Sequence, residues 1–131
     1  MKTGITFGTF DLFHYGHLRL LMRSRALCDR LVVGVSSDEM SFAKKNRRPC
    51  IPYEERAAIV ATLRVVDEVF KEESEEMKAE YIRRAGADVL IMTDDRTGVY
   101  DAVAAECGIE VVYIPRTPEV STTELIERIR R

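Results

Sequence analysis

Short apolar runs alternate along the chain with longer stretches in which apolar positions recur every three or four residues. The first pattern is that of buried strands, the second that of helices with one apolar face. Residues 4–7 read as a first strand, and a helix follows over residues 14–27. Residues 31–36 (LVVGVS) form a second strand, and the polar stretch after it reads as a loop ending at Pro52. Residues 53–63 read as a helix and residues 65–70 as a short strand. Ser74 can cap the next helix, with Glu75 and Glu76 in the first turn where the helix dipole favours acids, and Gly86 can end it. Residues 89–92 form a strand, residues 100–107 the core of a helix closed by Gly108, and residues 109–114 a fifth strand apolar enough for burial. Ser121 opens a last helix, with Glu124 at capping-box spacing.

Strands alternating with helices in this way imply parallel βαβ units with right-handed crossovers. The pattern therefore predicts an α/β fold, a five-stranded parallel sheet with helices on both faces. No repeat, low-complexity tract or linker divides residues 1–131, so one domain is expected. Open sheets of this kind bind ligands beyond the carboxyl ends of their strands, near a switch in strand order. Chemistry is thus expected just after residues 7, 36, 70, 92 and 114.

Composition adds exclusions. With 46% apolar and 32% charged residues in 131, the chain has the make-up of an ordinary globular domain, neither disordered nor fibrous. A net charge of −2 gives no general drive towards nucleic acid or a membrane surface. Lys44, Lys45, Arg47 and Arg48 nevertheless cluster, and residues 72–76 form an acidic counterpart interrupted by Ser74. Cys28, Cys50 and Cys107 are odd in number and widely spaced, which suits neither a disulfide framework nor a zinc site and points to a reducing cytoplasm. No apolar run approaches the roughly 20 residues of a membrane helix, so no membrane insertion is expected, nor does the N-terminus have a signal-peptide pattern.

The densest candidate chemistry is Gly8-Thr9-Phe10-Asp11-Leu12-Phe13-His14-Tyr15-Gly16-His17, which leaves the first strand and enters the first helix. Gly8 permits a tight turn and close approach of a ligand. His14 and His17, the only two histidines, are three apart and share a helix face, and Gly16 leaves that face open. The unpaired N–H groups of the helix start suit an anion. Two imidazoles and a helix N-terminus aimed at one spot suit phosphoryl-type transfer, which needs positioning and charge stabilisation rather than a covalent intermediate. After the fifth strand, Arg116 and the hydroxyls of Ser121, Thr122 and Thr123 form a second anion-binding surface. Ser121 also reads as a plain helix cap.

The GTFDLFHYGH segment resembles the HxGH signature of the cytidylyltransferase-like nucleotidyltransferases, and residues 116–123 (RTPEVSTT) resemble the RTxxxSTT motif of their glycerol-3-phosphate branch. DEV at residues 67–69 and MTDD at residues 92–95 fall in register with both. The resemblance implies a Rossmann-like nucleotidyltransferase fold. It also implies transfer of CMP from CTP to an alcohol phosphate, foremost sn-glycerol 3-phosphate, by direct in-line attack, giving CDP-glycerol and pyrophosphate. Mg²⁺ would travel with CTP, since nothing in the chain is a protein-only metal cage, and a homodimer is expected.

Carried over by resemblance, Gly8, Thr9, Phe10, His14, Tyr15, Gly16, His17 and Asp95 bind the nucleotide. So do Arg116, Thr117, Pro118, Glu119, Val120, Ser121, Thr122 and Thr123. His14, His17, Lys44 and Arg116 are the catalytic set, and Lys44, Arg64 and Lys78 hold the acceptor. Lys44 and Lys78 also read as surface lysines, and Arg64 as a neutralising partner of Asp67. The chain departs from the pattern at Glu75 and Arg96, where aromatic residues are expected, at Thr93 in place of a glycine, at Asn46 in place of a second lysine, and in having no tryptophan. These departures bear on the acceptor and, less directly, on the base. The competing readings are an adenylyltransferase acting on a flavin or pantetheine phosphate, a cytidylyltransferase for another small phosphate or phosphonate, and a non-catalytic nucleotide sensor.

Overall fold

The computed structural model of the chain describes residues 1–118 and 121–131. Five strands, β1 (Thr3–Gly8), β2 (Arg30–Ser36), β3 (Glu68–Glu72), β4 (Val89–Thr93) and β5 (Glu110–Ile114), form one sheet in the order β3-β2-β1-β4-β5. Every neighbouring pair is parallel. The helices are α1 (Tyr15–Arg25), α2 (Asp38–Lys45), α3 (Tyr53–Ala61), α4 (Lys78–Ala85), α5 (Asp101–Cys107) and α6 (Thr122–Arg130).

Alternation along the strands sends side chains to two apolar layers. On one face Ile5, Phe7, Val32, Leu90 and Met92 pack with Tyr81 and Ile82 of α4 and with Tyr100 at the start of α5. On the other, Leu31, Val33 and Val35 meet Leu21 of α1 and Val60 of α3. Each such side chain, fully buried, contributes roughly 1.5–3 kcal/mol. Gly34 in β2 is required by this packing, because a Cβ there would lie 2.7 Å from both the Phe7 and Phe70 rings. The chain builds outward through β1, β2 and β3, then returns to lay β4 on the other side of β1. The strand order therefore switches between β1 and β4, and the carboxyl ends of these two strands flank the crevice where ligands bind in such sheets.

Besides shifts of one or two residues at the ends of elements, three features differ from the sequence pattern. The stretch read as a loop after β2 contains α2: Ser37 caps it, its hydroxyl accepting from Met40 N at 3.0 Å, and Asn46 closes it in the left-handed region at φ 55°. With acids in its first turn and Lys44 and Lys45 in its last, α2 has every end signal of a helix, but its eight residues are too few and too polar to show a period. Strand β3 starts at Glu68, not at residue 65, because pairing with β2 begins at Val32↔Glu68. Val65 and Val66 pack against the core from a turn. Ser74 caps a three-residue 3₁₀ turn, Glu75–Met77, and α4 begins only after it. Gly86 and Gly108 end α4 and α5 in the left-handed region, as the sequence predicts.

Candidate active site

A cleft of about 310 Å³ opens beyond the carboxyl ends of β1 and β4. One wall is the loop that leaves β1. At Gly8 a Cβ would lie 2.8 Å from the Phe10 ring, so only glycine lets the chain fold back over that ring. Phe10 and Leu12 follow with φ of 55° and 49°, the left-handed region that side chains rarely adopt. Such a backbone persists only when its surroundings over-determine it. Arg56 donates from Nη1 to Thr9 O at 2.7 Å. The Asp11 carboxylate accepts from Cys50 N at 2.8 Å and Ile51 N at 3.0 Å. Thr122 Oγ1 donates to Asp11 O at 2.8 Å. The loop is thus fastened on one side to the segment before α3 and on the other to the start of α6.

His14 is the N-cap of α1. Its Nδ1 accepts from Gly16 N at 3.0 Å, while His17 Nδ1 accepts from His14 N at 3.2 Å. The two imidazoles together form a capping box, a task usually given to a hydroxyl and a carboxylate or amide. A ring nitrogen that accepts an N–H carries no proton, so in each neutral ring the proton sits on Nε2. Burial lowers the pKa of both, and that of His17 falls to about 3, with the neighbouring His14 and Lys45 adding to the effect. Both are therefore neutral at pH 7, which permits their rings to stack with centroids 3.7 Å apart. His14 Nε2 is buried and has no hydrogen-bond partner among the described residues. An unmet buried donor is costly, and in the wall of a cleft it marks a place for an acceptor atom. In ¹⁵N NMR spectra both histidines should show the Nε2–H tautomer at pH 7, and His17 should not titrate near the ordinary value of 6.5. Titration of His17 there, or an Nδ1–H tautomer in either ring, would refute the neutral-donor assignment.

Facing this wall are the start of α6 and the exit of β5. Arg116, Thr117, Ser121, Thr122 and Thr123 all line the cleft. The Ser121 hydroxyl accepts from Glu124 N at 3.1 Å, so its capping role is real and leaves the helix N-terminus turned to the cleft wall. Arg116 Nη1 lies 3.7 Å from the Asp95 carboxylate, and Arg116 N donates to Asp94 Oδ1 at 3.2 Å, which ties the exits of β4 and β5 together. Asp95 in turn accepts from Thr93 Oγ1 at 2.5 Å. Glu119 and Val120 lie outside the described residues. Tyr15 and Pro118 do not line the cleft; both are exposed, Tyr15 because the His14–His17 pair turns the opposite face of α1 inwards.

At the far end stand Lys44 and Lys78. Lys78 is no surface lysine: it is 4% exposed, with Nζ 2.6 Å from Glu72 and 3.9 Å from the Phe7 ring centroid. Lys44, at the end of α2, pairs with Glu75. Arg64 is the correction here. It is exposed in the turn before β3, at the amino end of the sheet, and does not line the cleft. Nor does it neutralise Asp67, whose carboxylate pairs with Arg25 at 2.8 Å.

Several cleft and loop residues carried no signal in a sequence motif read alone. Asp11 stands inside the first motif yet works as a backbone clamp. Arg56 occupies the inward stripe of α3 with Tyr53 and Val60, an apolar spacing that could have marked it as buried. Glu72 and Tyr100 become neighbours of Lys78 only through the crossover of the chain.

Residues 5–128 match the profile of a family described as cytidylyltransferase-like. Glycerol-3-phosphate cytidylyltransferase of Bacillus subtilis (strain 168) is 45% identical over 98% of both chains. The Staphylococcus aureus (strain NCTC 8325 / PS 47) enzyme of the same name is 36% identical over 98% of this chain and 96% of its own. In fold, the chain is similar to the lipopolysaccharide core biosynthesis protein from Thermoplasma volcanium GSS1, with a TM-score of 0.79, 23% identity, and coverage of 89% of this chain and 98% of that one.

Proposed function

Because the chain belongs to the cytidylyltransferase-like family and is a nucleotidyltransferase, we propose that it transfers CMP from CTP to sn-glycerol 3-phosphate, forming CDP-glycerol and pyrophosphate. The observation that carries this reading is the junction of two helix N-termini on one cleft. The loop that leads into α1 is joined to the start of α6 through the Thr122–Asp11 bond of 2.8 Å, and the His14 and His17 rings line the same cleft.

In this reading the triphosphate lies between the two helix starts, held by Arg116, Thr117, Ser121, Thr122 and Thr123, with Thr9 and Asp95 on the nucleoside side. A phosphate oxygen of the acceptor, held by Lys44 and Lys78, attacks the α-phosphorus in line. The new bond joins that oxygen to the α-phosphorus, and the bond to the oxygen bridging the α- and β-phosphates breaks, so pyrophosphate leaves. A phosphomonoester is mostly ionised at pH 7, its second pKa being about 6, so no general base is needed. The Nε2–H groups donate to the oxygens on which charge builds, and as neutral imidazoles they are too weakly acidic to give up that proton to the leaving group.

Mg²⁺ bound with the triphosphate would offset part of its charge. Both Asp11 carboxylate oxygens are already committed to Cys50 N and Ile51 N, and no group of three His, Cys, Asp or Glu side chains gathers among the described residues. In this proposal the ion travels with the nucleotide. Cytoplasmic residence, suited by three free thiols, and a homodimer, drawn from the family likeness, complete the proposal.

The test is pyrophosphate release with Mg²⁺ from CTP, ATP, GTP and UTP against glycerol 3-phosphate and a panel of phosphates and phosphonates. The expected result is release with CTP and glycerol 3-phosphate. Release with ATP and flavin or pantetheine phosphate would establish the adenylyltransferase instead. CTP binding without release from any acceptor would point to a sensor.

A further inference from the structure

The two lysines at the far end of the cleft are not equivalent in what neutralises them. Lys78 is fixed from below by Glu72, which is 1% exposed, and its ammonium also lies over the Phe7 and Tyr100 rings. Glu72 is a permanent partner, since its departure would leave a buried charge unpaired. Glu75 is of another kind. It opens the 3₁₀ turn between β3 and α4, and its side chain is 39% exposed. One of its carboxylate oxygens pairs with Lys44 and the other lies 3.4 Å from Lys78 Nζ. A single carboxylate thus bridges ammonium groups that come from two different helices.

We propose that Glu75 is an internal stand-in for the acceptor's phosphate, holding Lys44 and Lys78 in the free protein and giving way when the acceptor binds. The proposal rests on the reading that these two lysines receive the acceptor. Its force comes from charge. Lys44, Lys78, Glu72 and Glu75 sum to zero, so these four offer an anion two ammonium groups but no net charge of their own while Glu75 stays in place. The remaining positive charge of the lining comes from neighbours such as Lys45 and Arg96. Burial works against ionisation of Glu75, but the hydrogen bond from Lys44 and the charges of both lysines outweigh it, so the carboxylate is ionised at pH 7. A phosphate dianion can replace its two contacts and add a third oxygen. Its half-exposed place on a short turn lets the carboxylate swing out into water, which Glu72 cannot do. Glu75 thereby sets acceptor affinity, and it does so without touching the triphosphate end.

The test compares the wild type with Glu75→Gln and Glu75→Ala. In pyrophosphate release with CTP, the KM for glycerol 3-phosphate should fall roughly tenfold or more in both variants, because a like charge is removed from the phosphate's place, while the KM for CTP stays the same. Titration of each protein with inorganic phosphate, followed calorimetrically, should show tighter binding in the variants. This binding readout needs no turnover. If no acceptor in the panel is consumed by the wild type, the functional reading fails, and the phosphate titration still decides the role of Glu75. An unchanged KM and unchanged phosphate binding would overturn the proposal. A higher acceptor KM in the variants would overturn it too, since Glu75 would then be a group that recognises the acceptor.

Discussion

Alanine in place of His14 or His17 should lower turnover by about 100-fold or more while the chain still folds, because each ring supplies one neutral N–H donor in a buried wall. A 100-fold loss corresponds to about 2.7 kcal/mol of transition-state stabilisation, within the range for one pre-positioned donor. The same substitutions remove parts of the capping box, which costs about 1 kcal/mol of stability. The two effects are separable because they use different atoms: Nδ1 serves the capping box and Nε2 is left as the donor. His14→Asn restores a good N-cap acceptor but has nothing at the position of Nε2. It should regain the melting temperature lost in His14→Ala and none of the turnover. Near-normal turnover in both alanine variants would sink the catalytic assignment. Recovery of turnover by His14→Asn would move the role of His14 from donor to cap. The double alanine variant should lose less than the product of the single losses, since the stacked rings act on one developing charge.

The histidine pair was legible because both residues fall in one short motif. His14 lies at the extended N-cap, however, and not within the helix, so the capping box, not a shared helical face, brings the two rings together. The strands were legible too, since their apolar runs announce the sheet, and so were Gly86 and Gly108, whose left-handed backbones end helices as a glycine there suggests. What stayed hidden depends on how the elements are placed on one another. Nothing near Lys78 says that Glu72 will bury with it, because that pair exists only once β3 has been laid beside β2 and α4 folded back over the sheet. Arg64 shows the converse. It was carried over by resemblance alone, yet the turn before β3 places it at the wrong end of a parallel sheet. Helix α2 was missed for lack of length, although Ser37, the acids after it and Asn46 mark both of its ends. Glu75 stood out as a departure from pattern, but only the structure joins it to two lysines.

The second large effect falls on Arg56, which no motif marks. It is 1% exposed and spends three donors on three separate segments: Nη1 on Thr9 O, Nε on Ile51 O at 2.8 Å, and Nη2 on the Asp38 carboxylate at 2.6 Å. Removing one partner of a buried ion pair costs about 3–5 kcal/mol. The Asp38 side chain keeps 25% exposure and can partly rehydrate, so Arg56→Ala should cost about 3 kcal/mol, near the lower end of that range. Urea unfolding at pH 7 would measure it. The pH dependence supplies a second check. Burial alone would raise the pKa of Asp38, but hydrogen bonds from Arg56 and Tyr53 N, with the Arg56 charge, hold it below its ordinary 3.8. A carboxyl whose folded pKa is depressed adds stability above its unfolded pKa and loses it as pH falls through the folded one. The stability gap between wild type and Arg56→Ala should therefore narrow once pH drops below about 3.8. Arg56→Lys keeps the charge but cannot send three directed donors to three segments, so it should recover only part of the loss. A cost under about 1 kcal/mol for Arg56→Ala would mean that Asp11 and Thr122 hold the left-handed loop unaided.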